Sequence, residues 1–591
     1  MADHIHVSVA WPYANGDLHV GHLAGALLPA DVFARYHRLR GNHVLTVSGS
    51  DSHGTPITVE ADKRGVPPRQ LFEEYHARHL RALQAIGITF DLYTHTDTEN
   101  HHRLAQEIFR RLYDAGHLKL QSQRQLYSEK EGRFLPDRYV EGTCPVCGFN
   151  GARGDQCDNC GSLLDAADLI DPRSKIDGSR PVWRDTEHFF FDLPAFSDRL
   201  LGYLSEHAGH WRPNVINFAR NYVQDGLKPR PVTRDIEWGV PVPLPGWEAK
   251  RLYVWFEAVM GYLTASVEWA QVTGQPEAWK RWWYEPSARI YNFLGKDNIP
   301  FHTVIWQAEL LGVGFVGQDE GRRLNLPFDV PANEFMNVEG AKFSKSRNWA
   351  IWLPDILTRY DPDAIRYYVL STLPETRDTE FAWADFVRRN NDELVATWGN
   401  LANRVLSFAY RHWEGRIPDP GELRPADEHL LQTIEGGFPA VAEHLEAVHL
   451  RAGLSEALSL AAVVNKYLDT QAPWFEIKTD RGAAAKSVYT ALRAIDSLKI
   501  LFSPFLPFSA ERLHRSLGYD APLFGELRIV ELKESERSHQ ALCYEAAGGT
   551  GTWEPSRLEA GRKLLEPEPL YKKLDDSIIE AERSRLGQPF D

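Results

Sequence analysis

The first fifty residues carry two different hydrophobic patterns. "HIHVSVA" alternates polar and apolar positions, which is typical of a strand. "HLAGALLPADVFARYHRLRG" repeats apolar residues at helical spacing and ends at Gly41, and "NHVLTVSGSDSHGT" is a second strand that runs into a Gly/Ser loop. This strand–helix–strand opening predicts a doubly wound, Rossmann-like α/β domain with its ligand site at the carboxyl ends of the strands.

Later segments depart from this pattern and set the predicted domain order. The stretch from about Gly116 to Gly226 interrupts the α/β pattern, which resumes at "RLYVWFEAVMGYL". From about Asp385 we expect the chain to become helical and to stay helical. An apolar stripe at helical spacing supports this and comprises Leu394, Trp398, Leu401, Val405 and Phe408. The predicted parts are an α/β domain at 1–115 and 227–330, an inserted domain at 116–226, a loop region at 331–384, a helical bundle at 385–540 and a charged, helical tail at 541–591.

The composition narrows the class of protein. With 591 residues the chain is too long for one hydrophobic core, and 43% hydrophobic with 25% charged residues is ordinary for globular domains. No apolar run reaches membrane-spanning length, and "MADHIHVSVAW" lacks the regions of a signal peptide. We therefore expect a cytoplasmic protein without a membrane partner.

The net charge of −15 argues against a surface that is basic throughout. A local basic track on an acidic body remains compatible with this total. Its candidate residues are Arg359, Arg366, Arg388 and Arg389. Solvated helix faces are an equally good interpretation of each of these four arginines.

Four of the five cysteines lie close together in the inserted domain. Cys144 and Cys147 form one CxxC pair, Cys157 and Cys160 form another, and nine residues separate the pairs. Four thiolates hold Zn²⁺ in a closed tetrahedral site, which is structural. Two unrelated reduced pairs, or a redox CxxC, are the alternatives, but no thioredoxin-like context surrounds them. We predict one zinc knuckle at about residues 141–163.

Two separate segments have the chemistry of a phosphate site. His19, Gly21 and His22 stand where the first strand gives way to a helix, whose N-terminus attracts phosphate. In "GAKFSKSRN", Lys342 and Lys345 bracket small hydroxyl residues and can neutralise charge that develops on a triphosphate. Two capping histidines and a solvated basic turn are the alternatives. "GVGFVG" matches a nucleotide motif but follows a helical-looking stretch instead of a strand.

In this order the two segments resemble the HIGH and KMSKS signatures of class I aminoacyl-tRNA synthetases. The resemblance narrows to the methionyl-tRNA synthetase family and extends over nearly the whole chain. The stretches that carry it are "AWPYANGDLHVGH", "GSDSHGTPI", "CPVCG…CDNCG", "YVWFEAVMGY", "GKDNIPFH", "KFSKS", "NLANR" and "NKYLDTQAPW".

The resemblance implies ATP-dependent activation of L-methionine and its transfer to the 3′ end of tRNA(Met), with Mg²⁺ accompanying ATP. It implies that His19, His22, Lys342 and Lys345 are the catalytic residues. The implied ATP-binding residues are Gly21, His19, His22, Asp297 and Lys345. The implied amino-acid site comprises Trp11, Tyr13, Asp51, Trp255, Ala258, Tyr262 and His302. By pattern alone, Trp255 and Tyr262 can equally be core aromatics.

Some positions depart from the best-known family pattern. Trp11 replaces a leucine, Phe343 replaces the methionine of KMSKS, and Asn298 replaces an isoleucine. Val259 and Met260 replace a Pro-Ile pair. These changes affect the shape of the pocket and leave the reaction class unchanged. A paralogous synthetase with altered amino-acid or inhibitor selectivity is therefore an alternative function.

The helical part offers an anticodon-reading surface. Asn400 and Arg404 are four residues apart and share one helical face beside the apolar stripe, and Trp474 follows a helix stop at Pro473. These three residues match the family's anticodon-reading positions, which implies recognition of CAU; without that match Trp474 would more often be a core residue. We expect a monomer. A non-catalytic tRNA-binding protein is a further alternative.

Overall fold

The computed structural model describes residues 2–588 apart from 136–138, 155–156, 158, 161, 163, 165, 167 and 345–346. The strands among the described residues are β1 His4–Val9, β2 His43–Ser50, β3 Leu92–His95, β4 Leu118–Ser128, β5 Arg133–Phe134, β6 Val140–Thr143, β7 Ala152–Arg153, β8 Ile170–Ser174, β9 Val182–Phe191, β10 Arg230–Pro231, β11 Thr233–Arg234, β12 Arg251–Leu252, β13 Arg289–Gly295, β14 Ala332–Asn333, β15 Met336–Val338, β16 Thr379–Phe381, β17 Glu526–Lys533 and β18 Ser538–Glu545.

Helices occur along the whole chain and predominate after β16. The α-helices are α1 Val20–His22, α2 Leu28–Leu39, α3 Thr55–Arg64, α4 Pro68–Ile86, α5 Glu99–Asp114, α6 Ser197–Glu206, α7 Pro213–Gln224, α8 Val254–Glu257, α9 Gly261–Val272, α10 Lys280–Trp283, α11 Trp306–Val313, α12 Leu353–Ile356, α13 Pro362–Ser371, α14 Trp383–Arg389, α15 Asn400–His412, α16 Pro425–Glu446, α17 Leu450–Gln471, α18 Pro473–Glu476, α19 Arg481–Phe502, α20 Pro507–Ser516 and α21 Ser577–Arg583. Of the helices described, none is long and apolar enough to cross a membrane.

A seven-stranded sheet with the order β14-β13-β1-β2-β3-β18-β17 forms the centre of the molecule. The strands β14, β13, β1, β2 and β3 pair in parallel, which confirms the predicted doubly wound domain. Two polar residues of β1, His6 and Ser8, are buried as well as the apolar ones. They are satisfied there, because His6 contacts Ser8 Oγ at 3.1 Å and Ser266 Oγ at 2.9 Å.

The prediction that the chain stays helical after Asp385 is wrong, because two late strands form the far edge of this sheet. β17 and β18 form an antiparallel hairpin, and β18 pairs with β3 through Leu542 and Tyr93. The predicted limit between residues 540 and 541 falls inside β18. The burial of β17 alternates along the strand, which is the period-two signature that a helical reading overlooks. The tail is also less helical than predicted, because α21 is its only helix among the described residues.

The inserted segment has its own sheets. β4 and β9 form a long antiparallel ribbon inside the sheet β10-β9-β4-β5, and the first CxxC pair begins directly after β6, the central strand of the small sheet β7-β6-β8. After the ribbon, the chain passes through β10, β11, β12 and the helices α8 to α10. It then re-enters the central sheet at β13. The helix α11 ends at Val313, inside "GVGFVG", so this segment does not follow a strand, as the sequence indicates.

The helical domain is built on the predicted apolar stripe. Leu394, Trp398, Leu401 and Val405 are buried, and Phe408 is half-buried. A π-helix over Asn390–Gly399 leads directly into α15. α17 ends before Pro473, where Ala472 adopts a left-handed conformation with φ 47°. The predicted helix stop is therefore confirmed.

Arg366 on α13 joins this helical domain to α2 and α4 of the α/β domain. Its guanidinium is fully buried and donates to Asp31 Oδ2 at 2.7 Å and to the carbonyl oxygen of Phe505 at 2.8 Å. Burial alone would raise the pKa of Asp31, but Arg35 and Arg366 hold that pKa below its ordinary value. The prediction that Arg366 contributes to a basic surface track is wrong, because the side chain is entirely inside the protein.

We expect Arg366→Ala to lower the free energy of unfolding by about 3 to 5 kcal/mol, because it leaves the buried Asp31 carboxylate without this partner. The measurement is the midpoint of urea unfolding. The matched control is Arg388→Ala, whose exposed ion pairs contribute about 0 to 1 kcal/mol. Equal losses in both variants would contradict the role of Arg366.

Candidate active site

Main-chain hydrogen bonds bring the two phosphate-type segments together. The N–H of Val20 donates to the carbonyl oxygen of Ile351 at 3.0 Å, and the N–H of Leu353 donates to that of Leu18 at 2.8 Å. The helix start in "DLHVGH" therefore lies against the segment that follows "KFSKS". Segments about 320 residues apart in sequence form one wall of the site, as the resemblance implies.

The histidines of the first segment cap the helix that they begin. His19 Nδ1 accepts from the N–H of Gly21 at 3.0 Å, and His22 Nδ1 accepts from the N–H of His19 at 3.3 Å. The capping interpretation is therefore correct for both Nδ1 atoms. It also fixes the neutral tautomer, because a ring that accepts at Nδ1 carries its proton on Nε2. An Nε2–H group is a suitable donor to a phosphate oxygen.

The second segment folds over the first through an aromatic contact. The ring of Phe343 stacks on His19 with centroids 3.7 Å apart, and Trp352 meets the same imidazole edge-on at 5.8 Å. Lys342 is exposed beside this stack. Lys345 lies outside the described residues. The position where the family pattern has methionine therefore holds a ring that covers His19.

Tyr13, Trp255, Tyr262 and His302 come together at the carboxyl ends of β1 and β13, as the resemblance implies. Trp255 Nε1 donates to the Tyr13 hydroxyl at 2.6 Å, and the Tyr262 hydroxyl is 2.6 Å from His302 Nε2. His302 Nδ1 is 2.9 Å from the carbonyl oxygen of Asn298, so Nδ1 donates and Nε2 accepts. Burial lowers the pKa of His302 to about 4, which keeps this ring neutral.

Trp11 forms another wall of this group. Its ring lies 6.4 Å from that of Tyr262, between two glycines. A Cβ on Gly49 would stand 2.0 Å from the Trp11 ring, and one on Gly261 would stand 2.7 Å from it. Glycine at both positions therefore makes room for the large indole. Ala258 is half-buried, whereas Val259 and Met260 are buried.

Asp51 is the buried carboxylate of the group. Its main chain is fixed to the Tyr13 segment, since its N–H donates to the carbonyl oxygen of Pro12 at 2.9 Å and its own carbonyl accepts from Ala14 at 3.0 Å. Burial and the nearby Glu257 carboxylate raise the pKa of Asp51 well above its ordinary value. A cationic group placed beside Asp51 would favour its charged form.

Two further residues, His53 and Glu257, touch this group and are not singled out by the sequence pattern. The N–H of His53 donates to Asp51 Oδ1 at 3.2 Å, and His53 Nδ1 lies 2.8 Å from Glu257 Oε1. Burial alone would lower the pKa of His53, but Glu257 and Asp97 raise it to about 10. Both residues stand inside quoted motifs, "GSDSHGTPI" and "YVWFEAVMGY". Their buried pairing, which only the fold reveals, is the signal that was lacking.

Asp297 lies at the rim of the site. It belongs to a 3₁₀ turn, Lys296–Asn298, directly after β13, and its side chain is exposed. The neighbouring Lys296 is turned away from this group, because its Nζ pairs with Glu334 at 2.8 Å and Asp378 at 2.7 Å. Asp297 is therefore at the carboxyl edge of the parallel sheet, where doubly wound proteins bind ligands.

The four clustered cysteines form a metal-type arrangement. All four Sγ atoms lie within 4.8 Å of one another, with 3.9 Å between Cys144 and Cys160 and 3.6 Å between Cys147 and Cys157. A tetrahedron with Zn–S bonds of 2.3 Å has edges of about 3.8 Å. The cluster therefore has the size that a single tetrahedral zinc ion requires.

Arg404 and Trp474 meet at the surface of the helical domain, and Asn400 lies one turn before Arg404 on α15. Asn400 and Arg404 are exposed on α15, and the Arg404 guanidinium lies 4.5 Å from the centre of the Trp474 ring. Trp474 is half-buried and meets Phe408 edge-on, so it belongs partly to the core.

The remaining arginines of the predicted basic track are paired with carboxylates. Arg359 pairs with Asp355 and Glu582, whereas Arg388 and Arg389 share Asp385 and Glu393. Each positive charge is thus offset locally, so the alternative of solvated, paired helix faces describes these side chains better than a basic track.

Known proteins are similar to this chain over nearly its whole length. The family model "tRNA synthetases class I (M)" matches residues 5–406, and the anticodon binding domain of methionyl tRNA ligase matches residues 417–536. Methionine–tRNA ligases of Thermomicrobium roseum and Chloroflexus aggregans are 60% and 53% identical to it, each over 99% of both chains. A crystal structure of Mycobacterium tuberculosis methionyl-tRNA synthetase bound by methionyl-adenylate has a TM-score of 0.74 at 25% identity, covering 96% of this chain and 100% of that chain.

Proposed function

The chain belongs to the methionine–tRNA ligase family of class I aminoacyl-tRNA synthetases, and from this membership we propose how its own residues divide the work. It activates L-methionine with ATP and transfers it to the 3′ end of tRNA(Met). The observation that carries the assignment of residues is the joining of the "DLHVGH" and "KFSKS" segments beside an aromatic pocket with a buried carboxylate.

Methionine binds in the pocket around Asp51. The Asp51 carboxylate receives the α-ammonium group, because a charge-assisted hydrogen bond there offsets the cost of burying the carboxylate. The thioether lies among aromatic rings, where sulfur–ring contacts add to apolar burial. The residues that we assign to this pocket are Trp11, Tyr13, Asp51, Trp255, Ala258, Tyr262 and His302. Neutral His302 suits a neutral side chain.

ATP binds between the helix start and the "KFSKS" loop. His19, Gly21 and His22 present the helix N-terminus and Nε2–H donors to the phosphates. Lys342 and Lys345 offset the charge that develops on the leaving pyrophosphate. Asp297 holds the ribose at the sheet edge. Mg²⁺ accompanies ATP and neutralises part of the phosphate charge.

Activation needs no protein nucleophile. The methionine carboxylate attacks the α-phosphorus, a P–O bond forms, and pyrophosphate leaves with the electron pair of the broken bond. The adenylate then passes the methionyl group to a hydroxyl of the terminal tRNA adenosine, releasing AMP. The protein contributes position and electrostatic stabilisation, which are sufficient for phosphoryl-type displacements.

Recognition of the tRNA rests on α15 and α18. Asn400 and Arg404 offer hydrogen bonds to base edges, and Trp474 offers a surface for stacking an unpaired base. The stack of Arg404 on Trp474 holds both side chains in one orientation before a base arrives. We infer that this surface reads the CAU anticodon.

The cysteine cluster holds one structural zinc ion. Its Sγ–Sγ distances suit a closed tetrahedral site with no open position for catalysis. We further propose that the protein acts as a cytoplasmic monomer. The predicted domain limits stand as proposals, with the hairpin β17–β18 assigned to the catalytic sheet.

The first test is ATP–pyrophosphate exchange with methionine, leucine, isoleucine and homocysteine. We expect strong exchange with methionine, because the pocket matches a long, neutral, flexible side chain. Stronger exchange with another amino acid would indicate a paralogue with altered selectivity. No exchange with any of them, together with retained tRNA binding, would indicate a non-catalytic tRNA-binding protein.

The variant Trp474→Ala tests tRNA recognition separately from amino-acid activation. Stacking of one base contributes about 1 to 3 kcal/mol, so the KM for tRNA in aminoacylation rises about 5- to 150-fold. The tRNA-independent exchange reaction stays at its original rate, because Trp474 packs on Arg404 and Phe408 in the helical domain and is not one of the residues assigned to the pocket. An unchanged KM for tRNA would exclude Trp474 from anticodon reading.

We expect Phe343→Ala to raise the KM for ATP in the exchange reaction about 2- to 12-fold, since a ring stack contributes about 0.5 to 1.5 kcal/mol. Phe343→Met retains a contact between sulfur and the His19 ring and therefore stays close to the original KM. The KM for methionine is the internal control and does not change. Identical ATP constants in all three proteins would show that the stack on His19 is dispensable.

Cys147→Ser is expected to reduce the zinc content from one ion per chain to nearly none, because three thiolates bind much more weakly than four. Elemental analysis of the purified protein measures this. Cys543→Ser is the matched control, since Cys543 lies on β18, apart from the cluster. A full complement of zinc in Cys147→Ser would contradict the four-cysteine site.

A further inference from the structure

A row of buried charges leads away from the back of the amino-acid pocket. Glu257 lies between two imidazoles, 2.8 Å from His53 Nδ1 and 2.7 Å from His101 Nε2. The opposite side of the His53 ring faces Asp97, with His53 Nε2 3.6 Å from Asp97 Oδ1. Glu257, His53 and Asp97 are each at most 3% exposed, so their charges alternate inside the protein, screened little by solvent.

The row ends on the hairpin that completes the sheet. Arg537, in the turn between β17 and β18, places Nη1 2.8 Å from Asp97 Oδ2, and its Nη2 donates to the carbonyl oxygen of Asp97. Arg69 reaches the same carboxylate oxygen at 2.9 Å, but its side chain is 47% exposed against 25% for Arg537. Arg537 is therefore the better shielded and better oriented of the two arginines.

The turn that carries Arg537 is itself held against the catalytic domain. Arg537 Nε donates to Glu534 Oε2 at 2.6 Å, and Glu534 Oε1 accepts from the N–H of Glu99 at the start of α5 at 2.8 Å. In return, the Glu99 carboxylate accepts from Ser535 through both its N–H, at 3.1 Å, and its hydroxyl, at 2.6 Å. These reciprocal bonds fix the guanidinium relative to the strand end that bears Asp97.

The two arginines beside Asp97 distinguish an ion-pair network from a metal site. His53, His102 and Asp97 have ligand atoms within 4.8 Å of one another, which is a spacing that can hold a metal ion. Two guanidinium groups already neutralise Asp97, however, and a divalent cation would be repelled by them. Burial alone would raise the pKa of Asp97, but His102, His53 and Arg537 hold it far below its ordinary value. The cluster is therefore an ion-pair network.

We propose that Arg537 is a positioning residue of the methionine site. It acts through Asp97, His53 and Glu257, and it thereby fixes Asp51, whose Oδ1 accepts from the His53 main chain at 3.2 Å. The inference rests on the proposed function in that Asp51 is taken to receive the α-ammonium group. A segment that follows the tRNA-reading helices in sequence thus sets the geometry of the amino-acid site.

The physical reason is the balance of charge around His53. With Arg537 present, Asp97 is shared among four cationic or histidine side chains, so His53 remains bound to Glu257. Without Arg537, the carboxylate of Asp97 loses its best-shielded partner and attracts His53 more strongly. Movement of His53 toward Asp97 weakens its bond to Glu257 and shifts the backbone that holds Asp51.

The test compares Arg537→Ala, Arg537→Lys and Arg528→Ala in ATP–pyrophosphate exchange with the full-length, zinc-loaded protein. We expect the KM for methionine to rise about tenfold in Arg537→Ala, which is about 1.4 kcal/mol, with kcat and the KM for ATP unchanged. Arg537→Lys keeps the charge but cannot bridge the carboxylate and the carbonyl oxygen together, so its rise is smaller.

Arg528→Ala is the matched control, because Arg528 lies on the same hairpin and, within the part of the chain that the structure describes, forms ion pairs with the exposed Glu526 and Glu545 alone. An unchanged KM for methionine in Arg537→Ala overturns the proposal, as does a loss shared equally by kcat and both KM values that lysine does not restore. If Arg537→Ala fails to fold, Arg537→Gln, which removes the charge but keeps a donor group, takes its place, and an unchanged methionine KM in that variant overturns the proposal. Absent exchange in the unaltered protein would instead refute the proposed function.

Discussion

A buried guanidinium must satisfy nearly all its donors, and this requirement fixes the architecture around Arg366. Its donors reach Asp31 on α2, the carbonyl oxygens of Ile86 and Gly87 at the end of α4 and those of Pro504 and Phe505 after α19. Each of these partners belongs to a different part of the chain. A rotation of the helical domain would leave a charge unsatisfied in the core, which is far more costly than the loss of a surface pair. Arg212 makes a second tie of this kind, to Asn333 Oδ1 at 2.6 Å and to the carbonyl oxygen of Val448 at 3.0 Å.

Hydrogen bonds between segments that are distant in sequence assemble the candidate active site inside the architecture that Arg366 and Arg212 hold together. The loop after Lys342 is held to the first helix by main-chain pairing on both sides of His19, and the aromatic pocket is closed by two short hydroxyl contacts. The charged groups behind the pocket are paired in alternation, and Asp51 is the buried carboxylate to which we assign the cation of the substrate. The rigid scaffold and the buried Asp51 carboxylate together determine which substrate we expect the site to bind.

The sequence predicted the parts that depend on local patterns. The alternation in "HIHVSVA" and the stripe from Leu394 to Val405 each reflect one element, and the structure has a strand and a buried helical face there. The spacing of the cysteines reflects one compact cluster, and the structure brings all four Sγ atoms together. The hairpin β17–β18 was overlooked because it follows a long helical region and its partner strand, β3, is far away in sequence. The burial of Arg366 and the stack of Phe343 on His19 were equally inaccessible, since an arginine or a phenylalanine carries no local sign of its distant partner.

The position of the hairpin also has a consequence for how the protein is made. β3 is synthesised early, but the strand that covers its edge follows the entire helical domain. At about 5 to 20 residues per second, the ribosome needs on the order of half a minute or more to supply that strand. Throughout this interval the nascent chain presents an open sheet edge, the kind of surface that pairs with other chains. Translation speed and chaperone access after β3 therefore bear on the yield of this protein more than they would for one whose sheet closes in sequence order.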